Sequence, residues 1–195
     1  VGEGRMAEPE EIIEFLLNDI NSNKELFGKN CLVTAGPTQE NIDPVRFIGN
    51  RSSGKMGMAI ANELAEKGAE VNLVMGPSNL SSSHYNINQI NVNSASQMYD
   101  EVEKVFLDSD ISVFAAAVSD YKPIKTYSEK IKKLDGNMEI KLEKTKDILL
   151  EMSSDKKDHQ FVVGFALETE NEEENAIEKL QTKNLDMIIL NSMKD

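Results

Sequence analysis

With one cysteine, Cys31, in 195 residues, the chain has no partner for an internal disulfide, and a reducing cytoplasmic setting is expected. No run of about 18 apolar residues occurs, so no helical membrane span is predicted. The first ten residues lack the apolar core of a secretory signal. Positive charge is scarce: 21 basic side chains face 34 acidic ones, a net charge of -13. That balance argues against nucleic acid or an anionic membrane as the main partner. His84 and His159 stand isolated in polar stretches with no ligand spacing that joins them to Cys31, so no side chain is assigned to a metal.

Scarcity makes the remaining cations informative. Arginine occurs only as Arg5, Arg46 and Arg51, and the last two are near neighbours. The guanidinium fork suits carboxylates and phosphates, so this pair either holds an anionic ligand or forms surface ion pairs. Length suits one domain with a sizeable core, and 39% hydrophobic with 28% charged residues is ordinary for a globular protein.

Periodicity organises the chain. An amphipathic helix is predicted over 10–20, opened by Pro9, then a linker over 21–29. From there strands alternate with helices: strand 31–35, helix 52–67 closed by Gly68, strand 71–75, strand 87–92. Ser94 and Gln97 have the spacing of a capping box that opens a helix to about 107. Strand 111–117, helix 147–152, strand 161–166, helix 172–183 and strand 187–190 follow. Residues 130–142 interrupt the alternation and read as a hairpin turning at Asp135-Gly136. The fold class predicted is α/β: a doubly wound, mostly parallel, Rossmann-like sheet with helices on both faces and an inserted β-hairpin flap. Such sheets bind ligands beyond the carboxyl ends of their strands, here 36–50, 76–79, 118–121 and 167–169.

Several motifs compete for a chemical meaning. Residues 49–55 fit G-x-x-x-x-G-K, but Met56 stands where a P-loop needs a hydroxyl for magnesium, and the match lies well past its strand. Ser52, Ser53 and Gly54 at a helix start can bind an anion through free amides, or simply cap the helix. Helix 52–67 has features of dinucleotide reductases, yet the first turn lacks G-x-G-x-x-G and the second strand ends in Met75-Gly76 without an acidic residue. Asp120 at a strand end can read a base or ribose, or be a turn aspartate. Lys130, Lys132 and Lys133 read either as protection of an edge strand or as cations on a mobile flap. Lys179 and Lys183 share one face of the last helix, where dipole complementarity is an alternative reason for them.

Together the motifs resemble the phosphopantothenate–cysteine ligase family. The run TAGPTQENIDPVRFIGNRSSGKMG at 34–57 carries most of the resemblance, followed in order by AAAVSDY at 115–121, EKIKK at 129–133, GFALET at 164–169 and KNLD at 183–186. It covers roughly residues 30–191. The opening GEGRMAEP at 2–9 is similar to the tail of the FMN-dependent decarboxylase that bacteria fuse ahead of this ligase. Residues 1–29 are therefore expected to be that tail and a linker. Residues 30–195 are expected to be the ligase domain, cut short before a glycine-rich loop and further strands.

The resemblance implies a chemistry and its residues. In this family the phosphopantothenate carboxylate attacks the α-phosphate of CTP, and the cysteine amine then displaces CMP from the acyl-cytidylate. Asn50 and Lys130 would be catalytic. Gly36, Arg46, Ser52, Ser53 and Gly54 would hold phosphopantothenate. CTP would be bound by Phe114, Ala115, Ala116, Asp120, Lys130, Lys146, Asp147, Ile148, Leu149, Phe165, Lys179 and Lys183. Magnesium would be carried by the CTP phosphates and water. The resemblance also implies a homodimer, and no covalent enzyme intermediate, which leaves Cys31 a core residue. One departure stands out: Thr145-Lys146-Asp147 occupies the place of Asn-Pro-Asp in many bacterial relatives. The alternatives are an NADP-dependent reductase and a non-catalytic subunit of a decarboxylase complex.

Overall fold

A computed structural model describes residues 7–21, 23–133 and 137–192. Its centre is a six-stranded parallel sheet. The strands are β1 (Asn30–Ala35), β4 (Glu70–Met75), β5 (Ile87–Asn91), β6 (Ile111–Phe114), β9 (Phe161–Glu168) and β10 (Met187–Ser192). Among the described residues five helices accompany them: α1 (Pro9–Asn21), α2 (Lys55–Glu66), α3 (Ala95–Phe106), α4 (Ile148–Ser154) and α5 (Glu172–Thr182). Two antiparallel pairs are inserted, β2 (Gln39–Asn41) with β3 (Phe47–Gly49) and β7 (Tyr121–Pro123) with β8 (Leu142–Lys144).

Period-2 alternation along β1 builds two cores. Cys31, Val33 and Ala35 face Met58, Ala61 and Ala65 of α2. Leu32 faces the other way, toward Met98, Val102 and Phe106 of α3 and Met152 of α4. Burial on both faces is why β1 reads as a nearly continuous apolar run. Helix α1 adds little to either core, for Ile12, Ile13, Phe15 and Leu16 are all exposed. The capping box of α3 is present: the Ser94 hydroxyl accepts from the Gln97 amide, and the Gln97 side chain accepts from the Ser94 amide. Helix α2 begins three residues later than predicted, with Gly54 as its cap in the left-handed region (φ 75°). The Ser52 and Ser53 hydroxyls accept locally, from the Gly54 and Lys55 amides.

The hairpin predicted over 130–142 is corrected by the structure. The paired arms are β7 and β8, further apart in sequence, and the described residues of 130–141 form no strand. The Asp135-Gly136 turn lies outside the described residues. The physical reason is that backbone groups of the preceding segment bond elsewhere. Tyr127 donates its amide to the Ile42 carbonyl at 2.9 Å, and Ile131 donates to Asp43 at 3.1 Å.

Strand order β10-β9-β6-β1-β4-β5 places the topological switch between β1 and β6, where a ligand crevice is expected. Both connections that leave these strands at that crevice carry an inserted pair.

Candidate functional site

Backbone pairing continues past the ends of β1 and β6 and shapes the crevice. Ala117 donates to the Gly36 carbonyl at 2.8 Å, and Pro37 bridges to Ala117. The Thr38 hydroxyl accepts from the Ser119 amide at 2.9 Å, and the Thr145 hydroxyl donates to the Ser119 carbonyl at 2.6 Å. Glu40 is buried, its carboxylate accepting from the Ala95 amide at 2.7 Å where α3 begins. A carboxylate suits that helix end, and it ties β2 to the sheet.

Beside the switch lies a cavity of about 560 Å³. Its floor is apolar: Phe114 from β6, Phe165 from β9, Met98 from α3, and Ile148 with Leu149 from α4. Its rim is charged, with Lys144, Lys146, Lys179 and Lys183 set against Asp120 and Asp147. A surplus of cations is unusual on a chain of net charge -13. Lys183 pairs with Asp147 at 2.7 Å, and Lys179 donates to the Phe165 carbonyl at 2.7 Å. The Lys146 ammonium stands 3.8 Å over the Tyr99 ring, whose hydroxyl donates to Glu103 at 3.0 Å. Hydrogen bonds to Glu103 and then Glu151, with burial, hold the Tyr99 phenol well above its ordinary range, so it stays neutral. A cation held against an aromatic face is poised toward an anionic ligand. Flat apolar floor and cationic rim suit a molecule with an aromatic part and a polyanionic part.

Of the residues expected around CTP, the cavity gathers Phe114, Ala116, Asp120, Lys146, Asp147, Ile148, Leu149, Phe165, Lys179 and Lys183. Ala115 and Lys130 are not among the residues lining it. Thr34, Met98, Lys144 and Thr145 line it without having been expected, whereas Val118 and Tyr121 fall in the 118–121 stretch picked out at a strand end. Met98 lies on the buried face of α3, and the packing of α3 against α4 brings it to the crevice. Lys144 and Tyr121 arrive through β7–β8 pairing, for which the sequence carries no two-residue turn signal.

A second group sits at the start of α2. Gly36 and Gly54 both adopt positive φ and approach closely, so that a Cβ on Gly54 would meet the Gly36 Cα at 3.2 Å. The Ser53 carbonyl accepts from Ser78, which holds this loop to the one after β4. Asn50 donates its side-chain amide to the Val118 carbonyl at 2.9 Å, which sets it beside the cavity. Arg46 is engaged differently. Its guanidinium donates to the Asp43 carboxylate and to the Ile131 carbonyl, the latter at 3.0 Å.

The Arg46 hydrogen bonds, then the Val45, Ile131 and Arg46 amides, hold the Asp43 carboxyl well below the usual carboxylate range; burial opposes them less strongly. A depressed folded-state pKa stabilises the protein fully above the ordinary value of 3.8, and the stabilisation is lost as pH falls through the lower folded-state value. As pH falls below 3.8, wild type is therefore expected to lose Tm more steeply than Asp43→Asn in thermal melting. Parallel profiles would remove the assignment. Cys31 lies in the core, its thiol pushed up to about 11 chiefly by burial, with Asp110 adding. Among the described residues, no group of three or more His, Cys, Asp or Glu is placed to hold a metal ion.

The profile of the DNA/pantothenate metabolism flavoprotein C-terminal domain family matches residues 26–195. The chain belongs to that family. Among its relatives, the coenzyme A biosynthesis bifunctional protein CoaBC of Haemophilus influenzae is 45% identical over 193 residues, 99% of this chain and 48% of that protein. A cysteine/cysteine sulfinic acid decarboxylase from an unidentified prokaryote is 50% identical over 198 residues, covering 100% of this chain and 55% of that protein. The chain spans about half the length of both. The crystal structure of the C-terminal domain of a CoaBC protein superposes with a TM-score of 0.72 at 45% identity, over 84% of this chain and 76% of that one. As a member of this flavoprotein C-terminal domain family, the chain has the six-stranded Rossmann-like sheet with its crevice at the β1/β6 switch.

Proposed function

We propose that this chain is the ligase part of a coenzyme A biosynthetic protein, joining 4'-phosphopantothenate to L-cysteine at the expense of CTP. One observation carries the reading. The family's signature run folds into the loop, β2–β3 pair and helix start that flank a cation-rimmed cavity at the switch point, and it places Asn50 on the cavity-lining Val118.

In the first step a phosphopantothenate carboxylate oxygen attacks the α-phosphorus of CTP, and the bond to pyrophosphate breaks. In the second, the cysteine amine attacks the acyl carbon, CMP leaves with the bonding pair, and the amine proton passes to solvent. Neither step requires a nucleophile from the protein, so catalysis rests on positioning and on charge stabilisation. The base would lie on Phe114 and Phe165, and Lys146, Lys179 and Lys183 would meet the triphosphate. Lys183 would then exchange its Asp147 partner for phosphate oxygens. Gly36, Ser52, Ser53 and Gly54 would cradle the phosphopantothenate phosphate with backbone amides. Asn50 would stabilise the activated carboxyl, and Lys130 the charge on the α-phosphate. Magnesium would neutralise the phosphates, held mostly by them and by water. A homodimer, a cytoplasmic setting and a fused, FMN-dependent decarboxylase domain belong to the same reading.

Isothermal binding of CTP, ATP and NADPH, with pyrophosphate release in the presence of phosphopantothenate, tests it. CTP binding and CTP-dependent release are expected. Robust NADPH binding without a response to CTP would overturn the ligase reading in favour of a reductase.

A further inference from the structure

Asp43 is buried, with 0% of its side chain exposed, and every lone pair it offers is used. One oxygen accepts from the Val45 and Arg46 amides, both at 2.9 Å, and so closes the turn between β2 and β3. That alone would satisfy a turn aspartate. The other oxygen accepts from the Arg46 guanidinium and from the amide of Ile131, 88 positions away, at 3.1 Å. Arg46 in turn donates to the Ile131 carbonyl at 3.0 Å. One ion pair thereby holds both backbone polar groups of Ile131.

A second tether lies just upstream. The Tyr127 amide donates to the Ile42 carbonyl at 2.9 Å, and the Thr126 hydroxyl to the Asn41 carbonyl at 3.0 Å. Residues 128–130 are therefore suspended between two attachments to the same β2–β3 turn. Lys130 is exposed, so packing does not set its place and the tethers do. The same β2–β3 pair runs directly into Asn50 through Gly49.

We infer that Asp43, acting with Arg46 through the backbone of Ile131, is a positioning residue for Lys130. The inference rests on the ligase reading for Lys130's chemistry, while the tether itself does not. Asparagine is the informative replacement at position 43. Its amide has one acceptor and one donor face, so whichever way it turns, either the turn amides or the Ile131 and Arg46 donors meet an N–H group.

The test compares wild type, Asp43→Asn, Lys130→Gln and the double variant. Hydrogen exchange across residues 124–133 is expected to rise at least about tenfold in Asp43→Asn, with β1 and β4 unchanged. Turnover is expected to fall roughly 10- to 100-fold, with KM for CTP little altered. The double variant is expected to be no slower than Lys130→Gln alone, because the two changes remove one interaction. Unchanged exchange across 124–133, or multiplicative losses of turnover, would overturn the inference. Wild type that turns over no CTP would overturn the ligase reading instead, and the exchange measurement would still decide the tether.

Discussion

Asn50→Asp is expected to lower kcat for CTP-dependent amide formation by about 10²- to 10³-fold, the usual loss when a donor to a developing oxyanion is removed. Two effects add. The side-chain amide now donates to the Val118 carbonyl at 2.9 Å, and a carboxylate there would set oxygen against oxygen. Val118 lines the cavity, so the repulsion displaces the loop before α2 at the site itself. In the proposed ligase reaction the new negative charge would also oppose the charge that builds on the acyl group during amine attack. The cavity lysines are untouched, so KM for CTP is expected to change little. Asn50→Ala separates the effects, since it loses the donor without adding charge and is expected to be the milder change. Steady-state pyrophosphate and amide formation measure both. An aspartate variant with wild-type kcat would remove Asn50 from the mechanism.

The second large effect concerns folding. A Cβ on Gly76 would lie 1.7 Å from the Pro37 carbonyl oxygen and 2.8 Å from its carbon. Neither side can yield cheaply. Pro37 is bridged to Ala117, and the Gly76 amide donates to the Ala35 carbonyl at 2.8 Å. Gly76→Ala is thus expected to cost about 3 kcal/mol or more, the upper range for overpacking. For a domain of this size that lowers Tm by roughly 6–12 °C. Gly28 provides the comparison, because it has positive φ (75°) but nothing within 4 Å of its missing Cβ. Its alanine variant carries only backbone strain, about 1–2 kcal/mol. If calorimetry gave the two variants equal midpoints, the close approach of the loops after β1 and β4 would not matter to stability.

These residues show where reading the chain succeeds. β1 and β9 are largely apolar runs because both faces are covered, and that signal is local. So is the Ser94–Gln97 box, since its two bonds join residues three apart. The pairs β2–β3 and β7–β8 were not legible. Each strand has three residues, too few to show alternation, and the β7–β8 partners lie some twenty positions apart. Alternation over 130–142 pointed to a hairpin, but the backbone donors of Tyr127 and Ile131 are spent on the β2–β3 turn.

Sequence alone determined the α/β class, the order of the central-sheet strands and the helices, and the segments that meet at the carboxyl ends of those strands. Each of those depends on periodicity, caps and turns within a few residues. Tertiary structure decided that Arg46 grips Asp43 and Ile131, that Lys146 rests on Tyr99, and that Met98, Lys144 and Thr145 enter the cavity wall. A guanidinium or ammonium is equally suited to a ligand phosphate, a carboxylate, a carbonyl or an aromatic face. Which of these it meets depends on groups that folding brings from tens of residues away, and no local pattern encodes that choice.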